Sequence, residues 1–470
     1  SMSRNRWGYT GTGGPLGDNV RYTDYYGEGY YGYIYSGNYL AYQYTGYDNN
    51  TRYTRLEGFV QDSWQASKRL NISLGLRYSQ NWGDVKYVSG SVFQTKRLAP
   101  RLGFTFDLLG DKSTILKAHY GHFTEAMFAS YHDRMNPDQA YGDYVSYYFI
   151  PDDDDPATTG GDWEEFGRVV HESLYEMDPN IKHPYMAQWT VGIERELFKD
   201  TSLGISYINR TWHQIIAAVD RAADYDLIDM YVAPLDQTFQ IYEKTEATRD
   251  TYDYLIKNVR EGDPWVLENP YRKYWGIEIL FNKRFSNRWQ LLASYVYGKA
   301  TGTVNNGMAD DIGYGGSMES PNFWINAEGI LTNDPTHMIK IQGTYVLPLD
   351  INFNVYFRGI TGNAWTTQYR TRSLTQGRVT FFTEPRGSNH YAMQKTLDLR
   401  LEKIFTIAKK YRLGVIADVF NVFNDDTITG WGTRIGYDWA TDGTSPSTDG
   451  HDLLYMAEPR QARVGLRLIF

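Results

Sequence analysis

Apolar side chains recur at every second position through run after run of this 470-residue chain, from about residue 54 to the last residue. In the terminal run Ala462, Val464, Leu466, Leu468 and Phe470 share one face, and Arg463, Gly465 and Arg467 share the other. Leu70, Ile72, Leu74, Leu76 and Tyr78 stand in the same way against Asn71, Ser73, Gly75, Arg77 and Ser79. Segments 97–108, 271–285 and 350–360 repeat the pattern. A period of two belongs to a β-strand with one apolar face. Globular strands are commonly about 5–6 residues long, whereas these runs reach about 10–14, the length a tilted strand needs to cross a bilayer. About thirteen or fourteen such strands are expected, and this predicts a transmembrane barrel wall.

The connections point the same way. Short turns are expected at Ala66-Ser67-Lys68, Gly110-Asp111-Lys112, Lys199-Asp200, Ser286-Asn287 and Pro348-Leu349-Asp350. Between them lie long polar excursions at about 125–184, 215–270, 300–335, 361–393 and 424–460. Successive turns of an up-and-down barrel fall on opposite rims, so one rim collects the short ones and the other the long extracellular loops. A sandwich or propeller predicts shorter strands without this alternation. A solenoid predicts a fixed repeat, which is not found. Trp64, Tyr78, Trp82, Trp189, Tyr207, Trp212, Trp275, Trp289, Tyr295 and Tyr297 fall near strand ends, where amphipathic rings suit the headgroup level.

Composition removes most other classes. There is no Cys, which excludes a disulfide framework, a Cys-based zinc site and a thiol nucleophile. With 47 Lys+Arg against 56 Asp+Glu, the net charge of −9 argues against a nucleic-acid partner. No apolar stretch is long enough for a transmembrane helix. Ser1-Met2-Ser3-Arg4 lacks a signal-peptide pattern and reads as a tag remnant or a cut from a longer precursor.

Several hairpins resemble TonB-dependent outer-membrane receptors of the Oar-like subgroup. They are EGFVQDSWQASKRLNISLGLRYSQNWG at 57–83, LAPRLGFTFDLLGDKSTILKAHYGHFTE at 98–125, DPNIKHPYMAQWTVGIEREL at 178–197, WGIEILFNKRFSNRWQLLASYVYGKATG at 275–302 and LDLRLEKIFTIAKKYRLGVIADVFNVFN at 397–424. The ending PRQARVGLRLIF at 459–470 is similar to the family's last strand with its terminal Phe. The resemblance implies an all-β fold, an antiparallel up-and-down transmembrane β-barrel with long extracellular loops, in the outer membrane of a Gram-negative bacterium. Full-length members have an N-terminal plug inside a 22-stranded barrel. No TonB box or plug is found here, so the expected organisation is the C-terminal part of such a barrel at 54–470, preceded by a Tyr/Gly-rich segment at 1–53 that supplies loop and first strands. The implied activity is that of a cell-surface receptor, with ligand capture by the loops followed by TonB-driven import. The implied partners are membrane lipid and lipopolysaccharide, the TonB complex through a plug outside this chain and the barrel-assembly machinery; an accessory lipoprotein is left open, with no residue pointing to it. A peptide is the family-level guess for the ligand, with ferric chelates and glycans open. The alternatives are a plugless pore or export channel, and a surface adhesin.

Individual sites are less distinct. Phe470 continues the lipid-facing series, and the resemblance makes it an assembly signal. Asp152, Asp153, Asp154 and Asp155, between Pro151 and Pro156, offer hard oxygen ligands for calcium, although an unbroken run lacks the spaced, converging geometry of a calcium loop. His119 and His122, three apart in a strand, point to opposite faces and cannot share a metal without a bulge. His132, His171 and His183 show no ligand spacing. Tyr30, Tyr31, Tyr33 and Tyr35 in the Tyr/Gly-rich stretch, with Trp163, Trp324 and Trp365 in the loops, are candidates for ligand contact, because such rings offer stacking faces and polar tips. No Gly-x-Ser-x-Gly, His-Glu-x-x-His, Walker or dinucleotide motif occurs, so neither an enzyme nor a cofactor is expected.

Overall fold

The computed structural model describes residues 5–7, 20–24, 39–44, 47–49, 51–86, 88–125, 132–136, 144–151, 161–169, 175–305, 319–332, 335–407, 411–437 and 452–470. The alternating runs become one antiparallel sheet in which each strand pairs with its neighbours in sequence. In chain order the wall strands are β1 (Thr51–Gln65), β2 (Leu70–Val85), β3 (Ser91–Asp107), β4 (Thr114–Thr124), β5 (Tyr185–Phe198), β6 (Thr201–His213) and β7 (Arg272–Ser286). They continue with β8 (Trp289–Gly302), β9 (His337–Leu347), β10 (Ile351–Ile360), β11 (Gln394–Ile407), β12 (Tyr411–Phe420) and β13 (Gln461–Ile469). Gly329–Ile330 adds a short fourteenth strand beside the end of β8.

Register places like faces together. Leu70, Ile72, Leu74 and Tyr78 of β2 lie opposite Phe106, Phe104, Leu102 and Leu98 of β3. Val415 and Leu413 of β12 lie opposite Leu466 and Leu468 of β13. These apolar rows are exposed in the protein itself, with Leu466 at 73% and Leu102 at 47%. In the membrane, lipid covers them. A one-residue slip would turn every such side chain to the wrong face, so burial in lipid fixes the register.

The other face carries charge. Glu57 of β1 pairs with Arg55 at 2.6 Å and with Arg77 of β2. Lys117 of β4 meets Glu194 of β5 at 2.6 Å. Asp418 of β12 lies between Arg400 of β11 at 2.6 Å and Arg463 of β13 at 2.8 Å. These pairs, all but Arg55–Glu57 reaching across strands, belong to a water-facing lumen, since charge on a lipid face is costly at depth.

The rims differ as the sequence predicts. The wall-strand ends at 65/70, 107/114, 198/201, 286/289, 347/351 and 407/411 lie on one rim, and those at 124/185, 213/272, 302/337, 360/394 and 420/461 on the other, so short gaps in sequence gather on the first rim and long ones on the second. Two details depart from expectation. The β7–β8 turn is Asn287-Arg288, one residue later than the sequence suggested, because both adopt positive φ (52° and 72°), as a two-residue hairpin of a twisted sheet requires. On the long-loop rim, β1, β2 and β3 extend together past β4, and β2 and β3 end close to one another at Val85 and Ser91, where Gly90 supplies φ +81°. Near that rim the aromatics link across five strands: Trp189 to Tyr207 (5.0 Å between centroids), Tyr207 to Trp275 (6.4 Å), Trp275 to Tyr297 (5.5 Å) and Tyr297 to His337 (5.1 Å). This is an interfacial girdle.

Candidate ligand-binding crown

The long connections, expected as polar excursions, fold into a crown with cores of its own. Ile216–Asp220 is flanked by Tyr254–Asn258 (antiparallel), which pairs in turn with Tyr175–Met177 (parallel). Alternate residues of this small sheet serve two cores. Ile216, Ala218 and Ile256 pack with Met177, Ile181 and Phe93 of β3, while Ala217 and Val219 pack with Val266, Phe323 and Trp324. A third core joins the hairpin Tyr225–Val232/Gln237–Lys244 to Tyr369, Phe381 and Ile435 from two further loops.

The crown is seated on the inner face of β2 and β3. His183 is fully buried there, its Nδ1 2.9 Å from the Thr95 hydroxyl and 3.4 Å from the Asn81 amide, its Nε2 bonded to the Glu125 carbonyl. Burial is the main reason its pKa falls to about 4, with Arg55 and Arg97 acting in the same direction and the Glu125 bond opposing. Phe93 meets His132 edge-on at 5.3 Å.

The loops also hold one another. Lys244 and Asp220 form an ion pair buried almost completely, at 3.3 Å, and the ammonium lies 4.1 Å from the Tyr252 ring centroid. The side-chain amide of Asn322 substitutes for a neighbouring strand: its Oδ1 accepts from Tyr242 N–H at 2.9 Å and its Nδ2 donates to the Tyr242 carbonyl at 2.7 Å. Gln376, 132 residues downstream of Lys244, repeats this by accepting from Lys244 N–H at 2.9 Å and donating to Tyr242. Gln368–Arg370 pairs in parallel with Arg434–Gly436, where a Cβ on Gly436 would stand 2.3 Å from the Arg370 carbonyl oxygen. Beneath these contacts Tyr175 and Tyr254 stack at 4.6 Å, and Tyr225 meets Trp265 edge-on at 5.0 Å. Burial and the nearby Asp220 and Glu319 push the Tyr225 hydroxyl up to about 12, so it stays a neutral hydrogen-bonding group.

Residues 84–366 match the family described as outer membrane beta barrel domain. The chain belongs to that family. It is a protein of the Gram-negative outer membrane. It is 22% identical over 416 residues to the TonB-dependent transporter Oar of Myxococcus xanthus, a match that covers 80% of this chain and 36% of that one. The chain thus spans about a third of the length of this curated relative. Among solved structures, it is similar to the ferripyoverdine receptor of Pseudomonas aeruginosa, at 14% identity and TM-score 0.45 over 94% of this chain and 40% of that one. It is also similar to the siderophore receptor PirA of Acinetobacter baumannii, at 12% identity and TM-score 0.46 over 99% of this chain and 50% of that one. The likeness to TonB-dependent receptors read from the hairpins therefore holds, and the relatives are transporters and receptors, not enzymes.

In this outer-membrane barrel the residues singled out from sequence take different places. Asp152–Asp155 and Tyr30, Tyr31, Tyr33 and Tyr35 lie outside the described residues, as does His171. Trp163 pairs with Phe149 in a loop hairpin, Gly161–Val169 against Tyr144–Pro151. Trp324 is buried in a crown core, its indole N–H donating to the Trp265 carbonyl at 3.1 Å. Trp365 is half-buried where the 361–393 loop leaves the wall. Its ring lies 5.3 Å from Trp431 and 6.0 Å from Tyr391, and the Tyr391 hydroxyl accepts from Trp431 N–H at 3.2 Å. Of the named candidates, Trp365 is the one that the described residues bring together with further aromatics at a loop root. His122 is held by rings, with Tyr120 Oη at 2.8 Å and Tyr185 at 4.7 Å. Phe470 follows β13 and is 89% exposed on the apolar face. Among the described residues no group of three or more His, Asp or Glu converges as metal ligands would. Sequence reasoning missed His183 as an anchor and the hairpin 225–244 altogether. The alternation of Ile228, Met230 and Val232, then Phe239 and Ile241, around Ala-Pro-Leu-Asp could have revealed the hairpin.

Proposed function

We propose that this chain is the barrel wall and crown of a receptor that captures a peptide outside the cell and imports it with energy delivered through TonB. The observation that carries the reading is the crown itself. Loops from five connections fold into shared cores seated on the inner wall, an arrangement suited to presenting a preorganised surface above a lumen. The TonB-dependent transporter among its relatives supports the energy source. A plug and the TonB contact would come from sequence beyond these 470 residues, in keeping with the share of the relative that is covered. Trp365, Tyr391 and Trp431 are the proposed aromatic contact, and the exposed Phe470 at the end of β13 the assembly signal read by the barrel-assembly machinery. An accessory lipoprotein would sit over the crown.

The test is uptake of fluorophore-labelled casein peptides by the native bacterium. Removing TonB should abolish uptake while leaving surface binding, and Trp365→Ala with Trp431→Ala should weaken binding by about tenfold or more, as loss of packed aromatic anchors does. Uptake that continues without TonB would replace this reading with a passive pore.

A further inference from the structure

The hairpin Tyr225–Val232/Gln237–Lys244 has two outer edges, and the crown treats them differently. The edge of Gln237–Lys244 is capped at its Tyr242–Lys244 end, where Asn322 bonds both the N–H and the carbonyl of Tyr242 and Gln376 bonds the Tyr242 carbonyl and the Lys244 N–H. Those bonds identify the narrow pairs of the ladder. Tyr242 faces outward, so its partner Leu227 is in a non-hydrogen-bonded pair, and so are Asp229 opposite Gln240 and Tyr231 opposite Thr238. The N–H and C=O groups of Leu227, Asp229 and Tyr231 therefore point away from the hairpin, along an edge that no strand of the described residues occupies. A free, regular strand edge is a template for adding another strand.

The same residues are exposed. Leu227 is 52% and Tyr231 57% exposed, with Asp229 between them on the same face. Neither Asp226 nor Asp229 has an ion pair or side-chain hydrogen bond among the described residues. Between Arg221 and Lys244 the chain carries Asp224, Asp226, Asp229, Asp236 and Glu243 but no Lys or Arg.

We infer that the Tyr225–Val232 edge takes up an extended cationic peptide as an added β-strand. This deepens the receptor reading above and rests on it. The peptide's backbone would bond to Leu227, Asp229 and Tyr231. On the shared face it would place a basic residue opposite Asp229 and apolar residues opposite Leu227 and Tyr231, the pairings that cross-strand neighbours favour.

The probe is a labelled Thr-Val-Thr-Lys-Thr-Val-Thr peptide with blocked ends, titrated by fluorescence anisotropy against the full-length protein purified from outer membranes in detergent. The Lys peptide should bind at least about tenfold more tightly than its Glu counterpart, and N-methylation of the central residue should abolish binding, because one edge hydrogen bond and the close approach are lost together. Leu227→Pro removes an edge donor without removing a hairpin bond, so it should weaken binding while leaving the crown's protease pattern unchanged. Asp229→Asn should bring the Lys-to-Glu ratio towards one. Binding of the N-methylated peptide as tight as the parent, equal affinity for Lys and Glu peptides, or no binding up to about 1 mM would overturn the inference. If Leu227→Pro unfolds the crown, the N-methylated peptide on the wild-type protein decides. Failure here with TonB-dependent uptake intact removes the edge site alone, whereas edge binding without such uptake removes the transporter reading alone.

Discussion

His183 shows how one side chain can fasten a loop to a wall. Its ring receives the Thr95 hydroxyl on one nitrogen and gives its proton to the Glu125 carbonyl on the other. That arrangement uses the neutral form, and a second proton would meet the Asn81 amide and two nearby guanidinium groups in a buried site. The folded pKa of about 4 lies below the ordinary 6.5, so the neutral form is favoured by folding. The stability it contributes is complete above pH 6.5 and is lost as pH falls from 6.5 through about 4. A difference of this size corresponds to about 3 kcal/mol. Hydrogen exchange of residues 175–184 and 214–220 should accelerate in that window, and in His183→Gln this component of the pH dependence should vanish. An unchanged profile in the variant would assign the effect elsewhere. In the sequence His183 is one of several scattered histidines. Its partners at Asn81 and Thr95 are 102 and 88 residues away, so no local spacing could mark it.

At the level of elements the wall was the most legible part, because a strand with lipid on one side and water on the other writes its exposure into alternate residues. Leu102, Phe104 and Phe106 follow this rule in β3, as do Val464, Leu466 and Leu468 in β13, and the pairing register confirms it strand by strand. Turn centres were legible only to within a residue, since Asn287-Arg288 is selected by backbone handedness that Ser286-Asn287 would not supply. The two faces should respond to charge in opposite ways. Leu102→Arg places a cation on the lipid face and should cost about 2–4 kcal/mol, whereas a cation on the lumen face costs little. Ser206→Arg is the control, because Ser206 lies opposite Glu278 on the inner face. Folding the two variants into lipid vesicles and titrating with denaturant measures the difference. Equal costs would mean that the faces have been assigned wrongly.

The molecule as a whole is less legible, because the crown is held by contacts between loops and not within them. Asn322 and Gln376 cap one strand from separate connections, Gln368–Arg370 borrows its parallel neighbour from 434–436, and Gly387, with φ +71°, sits where a Cβ would stand 2.3 Å from the Ile330 carbonyl oxygen. Polar composition with interspersed Gly is what an unstructured loop also shows, so only the three-dimensional arrangement distinguishes the two. The arrangement makes the crown one cooperative unit, not a set of separate arms. Gly436 tests this. Its φ is +100° and any side chain would press on the Arg370 carbonyl, so Gly436→Val should separate 434–436 from 368–370 and release Ile435 from the third core. Independent loops would loosen only near 421–437 and 361–393. An interlocked crown should also lose amide protection at 225–232 and 237–244, because Met230, Val232, Phe239 and Ile241 share that core. The wall strands, whose ladders do not pass through the crown, should keep theirs. Hydrogen exchange read peptide by peptide separates these outcomes, and a loss of protection confined to the mutated loop would show that ligand capture cannot depend on the crown moving as one body.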